Sequence, residues 1–191
     1  PKENRTRVMD FQVAIPSYKR AGKVRTLKIS PFAKLWVPES QGDDYRAQYG
    51  EDRVVTIPDD RDGNVARKRN AISDLIDSDR YVMMDDDITS ISYWEAGRKT
   101  KIHGDDLKEF IKSGFELADE LGVKLWGLNQ QSDIIVYHTY APFSLLSPIL
   151  GPFTGQIRSK IRYDEEVAPR EDYDFWLQHI HTFRKTLRFN K

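Results

Sequence analysis

Strand-like and helical segments alternate along residues 11–87 of the sequence. Three runs rich in branched and aromatic side chains, 11–15, 34–37 and 53–57, are each followed directly by a proline, which ends a strand. Helical segments lie between these runs, and a fourth apolar run occupies 81–84. This alternation predicts an α/β fold with a mainly parallel central sheet and helices on both faces.

Three consecutive carboxylates, Asp85, Asp86 and Asp87, follow the fourth apolar run. Strand alternation would point Asp85 and Asp87 to one side and Asp86 to the other. Like charges this close repel, and a divalent cation offsets that repulsion. Oxygen ligands suit Mg²⁺ or Mn²⁺, which normally share such sites with substrate phosphates and water. The alternative is a polar strand end with solvated acids.

Loops at the carboxyl ends of the other strands should meet these acids. Parallel sheets collect their ligands at that edge, and the loops 16–23, 39–42 and 58–64 all follow strands. Tyr18 in the first loop could stack on a nucleobase, or it could simply pack at the sheet edge. Glu39 could accept hydrogen bonds from a base or ribose, or it could be a surface acid.

A helix is expected to begin after Asn64, which can cap it. The cations at 67–69 crowd its first turns, and a helix N-terminus attracts anions. Together they indicate a phosphate-rich ligand that Arg67 would contact, although a solvated charged face is the alternative. The predicted apolar stripe of this helix comprises Val65, Ile72, Leu75 and Ile76.

The second half of the chain is predicted to add two helices and several short strands. The helices cover 105–121 and 171–183, and the strands cover 124–128, 134–137, 155–161 and an edge strand at 187–189. Residues 92–104 are expected to form a polar loop.

Two acids, Glu171 and Asp172, open the last helix, where the helix dipole alone would favour them. The functional interpretation is a general base, a carboxylate that takes a proton from an attacking hydroxyl. Asp172 shares a helical face with Trp176 and His179. His179 and His181 could ligate a metal, but an isolated histidine is more often a structural hydrogen-bonding group.

Composition narrows the function classes. The 191 residues suit one domain, 1–191, and the formal net charge of +0 argues against a globally basic nucleic-acid binder while leaving room for a local basic face. The absence of cysteine excludes disulfides and thiolate zinc sites and fits a reducing cytoplasm, where we expect the protein to act. No apolar run is long enough to cross a bilayer, so no membrane partner is expected.

Four segments, taken in order, resemble the GT-A-fold glycosyltransferases. They are Val13–Arg20, Gly63–Arg67, Val82–Asp87 and Arg170–Asp172, and together they span nearly the whole chain. The resemblance implies a metal-dependent hexosyltransferase or pentosyltransferase that uses a nucleotide-diphosphate sugar, most simply a UDP-sugar, and inverts the anomeric centre. Many such enzymes bring a late histidine to the metal, but no histidine follows His181, so that ligand is absent or lies beyond Lys191.

The same resemblance assigns roles to individual residues. Asp85 and Asp87 would bind the Mn²⁺ or Mg²⁺, with Asp87 the more direct ligand, and Asp172 would be the catalytic base beside Glu171. The expected contacts to the donor are Pro16, Ser17, Tyr18, Arg20 and Glu39 for the nucleoside, Arg67 for the diphosphate, and Asp85 and Asp86 from the acidic motif.

A narrower similarity is to glycosyltransferases that modify hydroxymethylated DNA bases. It rests on Pro16–Arg20, Asp85–Ile88 and Arg170–Phe175, and the similar enzymes include phage proteins associated with base-oxidising dioxygenases and the kinetoplastid base J glucosyltransferase. It implies a hydroxymethylated pyrimidine in DNA as acceptor, and a phage protein acting in its host's cytoplasm. The expected DNA contacts in the loop 92–104 are Trp94 for stacking and Arg98, Lys99 and Lys101 for phosphates. A polar loop without such a function is the alternative.

Two other functions are alternatives for this sequence. A nucleotidyltransferase also pairs aspartates with a metal, but such enzymes usually carry a Gly-rich phosphate loop, which 16–22 lacks. A non-catalytic module that binds metal, nucleotide or nucleic acid is the other alternative. The sequence does not indicate an oligomeric state.

Overall fold

The computed structural model describes residues 10–95, 97–131, 138–167 and 169–190. Within them the strands are β1 Gln12–Pro16, β2 Lys34–Pro38, β3 Val54–Ile57, β4 Arg80–Met84, β5 Ile91–Glu95, β6 Arg98–Ile102, β7 Leu125–Leu128, β8 Phe143–Ser144, β9 Phe153–Ile157 and β10 Leu187–Phe189. The helices are α1 Gly42–Tyr49, α2 Val65–Leu75, α3 Gly104–Leu121 and α4 Glu171–Phe183. Short 3₁₀ turns cover Thr26–Lys28, Glu39–Gln41, Glu51–Arg53 and Asp59–Arg61.

Eight strands form one sheet in the order β3-β2-β1-β4-β9-β7-β10-β8. The first four are mutually parallel, β9 runs antiparallel to β4 and β7, and β10 is parallel to β7. The prediction of a mainly parallel central sheet is therefore confirmed. The carboxyl ends of β1, β2, β3 and β4 meet at one edge, where the chain leaves the sheet through the loops of interest.

Helices cover both faces of this sheet, as predicted. Val13 and Ile15 of β1 point into a core shared with Tyr45 of α1 and Phe115 of α3. Ala14, between them, points to the opposite core, where it packs with Ile72 of α2. This alternation along β1 is the period of two expected for a strand buried on both sides. No helix within the described residues is long and apolar enough to cross a membrane.

The prediction of an apolar stripe on α2 is confirmed for two of its four residues and wrong for the other two. Ile72 and Ile76 are buried, but Val65 is 52% and Leu75 is 44% exposed. The inward face instead includes the cation Arg69, which is only 4% exposed. A helix turns about 100° per residue, so Arg69 shares a face with Ile72 and Ile76, three and seven positions later.

Three predictions for the second half need correction. The polar loop expected at 92–104 is a two-stranded antiparallel hairpin, with Ile91 opposite Ile102 and Glu95 opposite Arg98. The strand expected at 155–161 is β9, which begins and ends earlier. The strand β10 is not an edge strand, because β8 pairs beyond it. The predicted strand 134–137 lies outside the described residues.

Candidate active site

The three acids of the motif lie in a turn beyond β4, which ends at Met84. All three line one cavity of about 530 Å³, which we call the acidic cavity. Its other lining residues are Pro16, Ser17, Tyr18, Arg20, Asp62, Gly63, Asn64, Val65, Lys68, Arg69, Gly151 and Glu171. The expectation that Asp86 points away from its neighbours was wrong, because strand alternation no longer applies once the strand has ended.

Asp86 links the acidic turn to the loop after β1 through a hydrogen bond and an ion pair. It is 8% exposed, its Oδ2 accepts a hydrogen bond from Ser17 Oγ, and its Oδ1 lies 3.3 Å from Arg20 Nε. Arg20 also reaches Asp87, with 3.8 Å between Nη1 and Oδ2. The loop after β1 and the turn after β4 therefore form one wall of the cavity, and Asp86 already has its partners within the protein.

Arg69 is a buried cation that joins three parts of the site. Its Nη2 lies 3.1 Å from Asp85 Oδ1, its Nη1 lies 3.3 Å from Glu171 Oε1, and Nη2 also donates to the Gly151 carbonyl at 3.4 Å. Burial raises the pKa of Asp85; Arg69 opposes this shift, while the charges of Asp87 and Asp86 add to it. The mutual repulsion of these acids is what a bound cation would relieve.

Lys68 of α2 connects the loop after β1 to the loop before α2. Its Nζ lies 3.1 Å from Asp62 Oδ2, donates to the Ser17 carbonyl at 2.7 Å and sits 5.2 Å from the centre of the Tyr18 ring. Burial lowers the pKa of Lys68, and Asp62 opposes that shift. Tyr18 itself is 52% exposed, so it lies at the mouth of the cavity, where Lys19 Nζ is 5.1 Å from the centre of its ring.

The N-terminus of α2 opens onto the same cavity. Asn64 caps the helix as predicted, because its Oδ1 accepts a hydrogen bond from the Arg67 N–H at 2.8 Å. Gly63, Asn64 and Val65 all line the cavity. Free N–H groups and the positive end of the helix dipole make such a terminus a favourable place for phosphate oxygens.

Two predicted donor contacts lie away from this cavity. Arg67 places its Nε 3.0 Å from Glu165 Oε2 and lines a separate cavity of about 500 Å³. Glu39 is exposed at the end of β2 and does not line the acidic cavity. The sequence located the loops that carry these residues, but it did not show which way their side chains point.

The two acids that open α4 have different surroundings. Glu171 lines the acidic cavity and is paired with Arg69. Asp172 Oδ2 accepts a hydrogen bond from the N–H of Gly151 at 3.0 Å, and Gly151 lines the cavity. Asp172 therefore lies one residue behind the cavity wall.

The predicted DNA contacts all lie on the β5–β6 hairpin. Trp94 and Lys99 line a second cavity of about 730 Å³ on the other side of Gly151, with Lys99 Nζ 5.8 Å from the Trp94 ring centre. Arg98 and Lys101 are exposed on the same hairpin. The structure thus brings Trp94 and Lys99 together and leaves the other two cations on its surface.

Neither histidine of α4 has the surroundings of a metal ligand. His179 is 2% exposed, and its Nδ1 donates to the Phe175 carbonyl at 2.8 Å. Burial lowers the pKa of His179 to about 4. His181 is exposed. Within the described ranges, no group of three or more acidic or histidine side chains is arranged to hold a metal ion.

The acidic cavity nevertheless fits a cation that a substrate helps to bind. Its lining carries five carboxylates against three cationic side chains, so it has an excess of negative charge. An anionic diphosphate would be repelled there unless a divalent cation bridged the two. Mg²⁺ and Mn²⁺ sites in phosphate-transferring proteins typically use one or two carboxylates, with phosphates and water completing the shell. Asp85 and Asp87 fit that requirement.

Sequence reasoning missed Arg69, Asp62 and Gly151 as parts of this site. Arg69 was hidden in a run of charges that resembles a solvated face, although its helical spacing to Ile72 and Ile76 was a usable signal. Asp62 and Gly151 carried no such signal, because only the folded chain brings them to the cavity.

Comparison with known proteins agrees with this architecture. The segment aligned with the Beta-glucosyl-HMC-alpha-glucosyl-transferases of Enterobacteria phages T2 and T6 is 38% identical over 83 residues, covering 41% of this chain and 29% of each phage protein. Among solved structures, S. aureus TarS 1–349 matches with a TM-score of 0.55 at 16% identity, over 96% of this chain and 58% of TarS. The mannosyltransferase PcManGT from Pyrobaculum calidifontis, solved with GDP-Man and Mn²⁺, matches with a TM-score of 0.57 at 10% identity, over 95% of this chain and 54% of PcManGT.

The structural matches, at these identities, establish the fold and confirm the predicted GT-A-like architecture. The chain spans less than two thirds of the length of each of these relatives. The family described as TET-Associated Glycosyltransferase matches residues 11–191, nearly the entire chain. The chain belongs to the TET-Associated Glycosyltransferase family.

Proposed function

We propose that this chain transfers a sugar from a nucleotide-diphosphate sugar, a UDP-sugar in the first instance, to the hydroxymethyl group of a modified pyrimidine in DNA. The observation that carries the proposal is the acidic cavity: an acidic turn, a helix N-terminus and an aromatic loop share one space. The family and the phage relatives, whose name contains beta-glucosyl-HMC, support a hydroxymethylated pyrimidine as the acceptor base.

The donor would lie across the acidic cavity. Tyr18 at the mouth offers a ring for the base, and Pro16 and Ser17 offer the floor of the first loop. The diphosphate would lie between the N-terminus of α2 and the acidic turn, where Lys68 and Arg20 supply positive charge. This arrangement leaves out Arg67 and Glu39, which lie outside the cavity.

Asp85 and Asp87 would hold a divalent cation, and Asp86 would keep the wall together. A bound Mg²⁺ or Mn²⁺ would neutralise the charge that develops on the departing diphosphate. The complex of PcManGT with GDP-Man and Mn²⁺ supports this assignment by analogy of fold. Arg69 orients Asp85 and opposes the rise that burial causes in the pKa of Asp85, because a guanidinium beside a carboxylate favours its charged form.

The acceptor hydroxyl would be activated by Asp172. Its Oδ2 faces the wall at Gly151, whereas the Glu171 carboxylate is held by the buried guanidinium of Arg69. Asp172 would take the hydroxyl proton as the acceptor oxygen forms a bond to the anomeric carbon. The bond from that carbon to the diphosphate oxygen breaks at the same time, so the nucleoside diphosphate leaves from the opposite face and the configuration inverts.

The test is a transfer assay on defined DNA. The protein is incubated with Mn²⁺ or Mg²⁺, a panel of sugar nucleotides that includes UDP-glucose, and duplexes that contain 5-hydroxymethylcytosine, 5-hydroxymethyluracil or the unmodified bases. Mass spectrometry of the digested nucleosides should find a sugar on a hydroxymethylated base alone. Release of pyrophosphate from nucleoside triphosphates, with no sugar on any duplex, would favour nucleotidyl transfer instead.

A further inference from the structure

A second cavity of about 730 Å³ lies between the β5–β6 hairpin and the ends of strands in the main sheet. We call it the hairpin cavity. Six aromatic rings line it: Tyr93, Trp94, Phe110, Phe143, Phe153 and Phe189. Phe110 and Phe189 pack edge-to-face with 5.3 Å between ring centres and so form one continuous part of the wall. Its volume falls within the roughly 300–1,000 Å³ of pockets that bury small ligands.

The hairpin cavity and the acidic cavity share a thin wall, residues 150–152, which we call the partition. Leu150 and Pro152 line the hairpin cavity, whereas Gly151 between them lines the acidic cavity. The cavities adjoin again at the acidic turn, where Asp87 lines one and Ile88 the other. A molecule in the hairpin cavity would therefore lie beside the reacting end of a donor in the acidic cavity.

Hydrogen bonds hold the partition to residues of both cavities. Asp172 Oδ2 accepts a hydrogen bond from the Gly151 N–H at 3.0 Å, and the Asp85 N–H donates to the Pro152 carbonyl at 2.9 Å. Gln130, which lines the hairpin cavity, donates from its Nε2 to the Leu150 carbonyl at 2.8 Å. The proposed base and the proposed metal ligand are thus both fastened to this wall, so the chemistry would occur at its edge.

The hairpin that lines one side of this cavity is cationic, although the cavity lining itself carries only Lys99 and Glu95 as charged side chains. Residues 91–102 carry Arg98, Lys99 and Lys101 against a single carboxylate, Glu95, in a chain whose formal net charge is +0. The lining of the acidic cavity instead carries more negative than positive side chains. A polyanion would therefore be drawn to the hairpin and repelled from the acidic cavity.

Resting on the proposed function, we propose that the hairpin cavity holds the acceptor base after that base has rotated out of a DNA duplex. The aromatic rings stack on the faces of the base. The side-chain amides of the cavity wall, which include Asn129 and Gln131, bind the polar edge of the base. The cations of the hairpin bind the flanking phosphates. A base that stays stacked keeps its hydroxymethyl group in a groove, outside a walled cavity, whereas an extruded base brings that group to the partition.

The test compares two tryptophan substitutions on the same hairpin. Ser92→Trp fills the hairpin cavity, because Ser92 lines it. Thr100→Trp adds the same ring at an exposed position that does not line the cavity. The DNA probe is a duplex with one 5-hydroxymethylcytosine and 2-aminopurine as its neighbour, whose fluorescence rises when the target base leaves the stack. It is titrated with protein, UDP and Mn²⁺, so no transfer is needed.

Wild-type protein and Thr100→Trp should raise the fluorescence, and Ser92→Trp should not. In transfer assays Ser92→Trp should raise the KM for DNA on the order of tenfold or more, as loss of one base stack would, with a much smaller change in the KM for the sugar nucleotide. If Ser92→Trp does not fold, Gln131→Trp replaces it, because Gln131 also lines the cavity.

Transfer by wild-type protein without a fluorescence rise would overturn the proposal, and so would equal KM values for the two variants. Absence of any transfer to DNA would instead overturn the proposed function. The fluorescence arm would still report whether a base enters the cavity, so the two failures are distinguishable.

Discussion

Arg69 and Asp85 form an ion pair with 3.1 Å between Nη2 and Oδ1, and the arginine side chain is only 5% exposed. The same guanidinium also reaches Glu171 at the start of α4. One buried cation therefore holds together the turn after β4 and the first residue of the last helix. It is flanked on its own helix by Arg67, which pairs with Glu165 at the surface.

Arg69→Met should destabilise the fold strongly. The methionine fills similar space, but Glu171 and Asp85, whose side chains are 17% and 39% exposed, lose their buried counter-charge; the cost should approach the lower end of the about 3–5 kcal/mol typical of a fully buried pair. Arg67→Met is the matched control, because its ion pair is about half exposed and should contribute less than about 1 kcal/mol. Urea unfolding followed by tryptophan fluorescence measures both. Similar losses for the two variants would contradict the bridging role of Arg69.

The stability of the protein should depend on pH through His179. Burial lowers its pKa in the folded state to about 4, from the ordinary 6.5. The unfolded state therefore binds the proton more tightly, and the stability present above pH 6.5 is lost as the pH falls toward 4. The loss approaches about 3 kcal/mol at 1.36 kcal/mol per pKa unit.

His179→Gln should flatten this pH dependence, and His181→Gln, at an exposed position on the same helix, should leave it as in the wild type. The free energy of unfolding is measured at several pH values between 4 and 7.5 for all three proteins. A wild-type profile retained by His179→Gln would show that another group titrates.

Asp172→Asn should slow the chemical step far more than it weakens donor binding. A positioned general base typically contributes about 10²–10⁴-fold in rate, so kcat should fall by that order while the KM for the sugar nucleotide changes little. Asp174→Asn is the control, since Asp174 accepts a hydrogen bond from Gln178 along the same helix, whereas Asp172 accepts one from the cavity wall at Gly151. Equal losses in kcat and donor affinity for Asp172→Asn would speak against its assignment as the base.

Sequence patterns predicted those parts of the fold that depend on residues close together in the chain. The strands β1 to β4 are short apolar runs ended by proline or by charge, and α3 carries a regular stripe from Leu107 to Leu121. The edge where those strands end was therefore foreseeable, together with the acidic turn and the Asn64 cap. These features depend on residues near one another in the sequence.

The features that sequence reasoning missed depend on distant contacts. The hairpin 91–102 has no continuous apolar face, because cross-strand pairing rather than burial defines it, so its polar sequence resembled a loop. Arg69 is buried only because Asp85 and Glu171 supply its counter-charges. The pairing of Arg67 with Glu165 likewise depends on a residue 98 positions away, which no local pattern reveals.

We expect Asp85 and Asp87 to hold a cation that transfer of the sugar from the donor requires. The most direct measurement is transfer of a sugar to hydroxymethylated duplex DNA, quantified by mass spectrometry, for wild-type protein and Asp87→Ala with Mn²⁺ and with a chelator. We expect the sugar on the DNA with wild-type protein and Mn²⁺, and at least a hundredfold less product with chelator or with a well-folded Asp87→Ala, an order typical of losing one transition-state charge contact. Full turnover in chelator, or by the double variant Asp85→Ala/Asp87→Ala, would contradict the account.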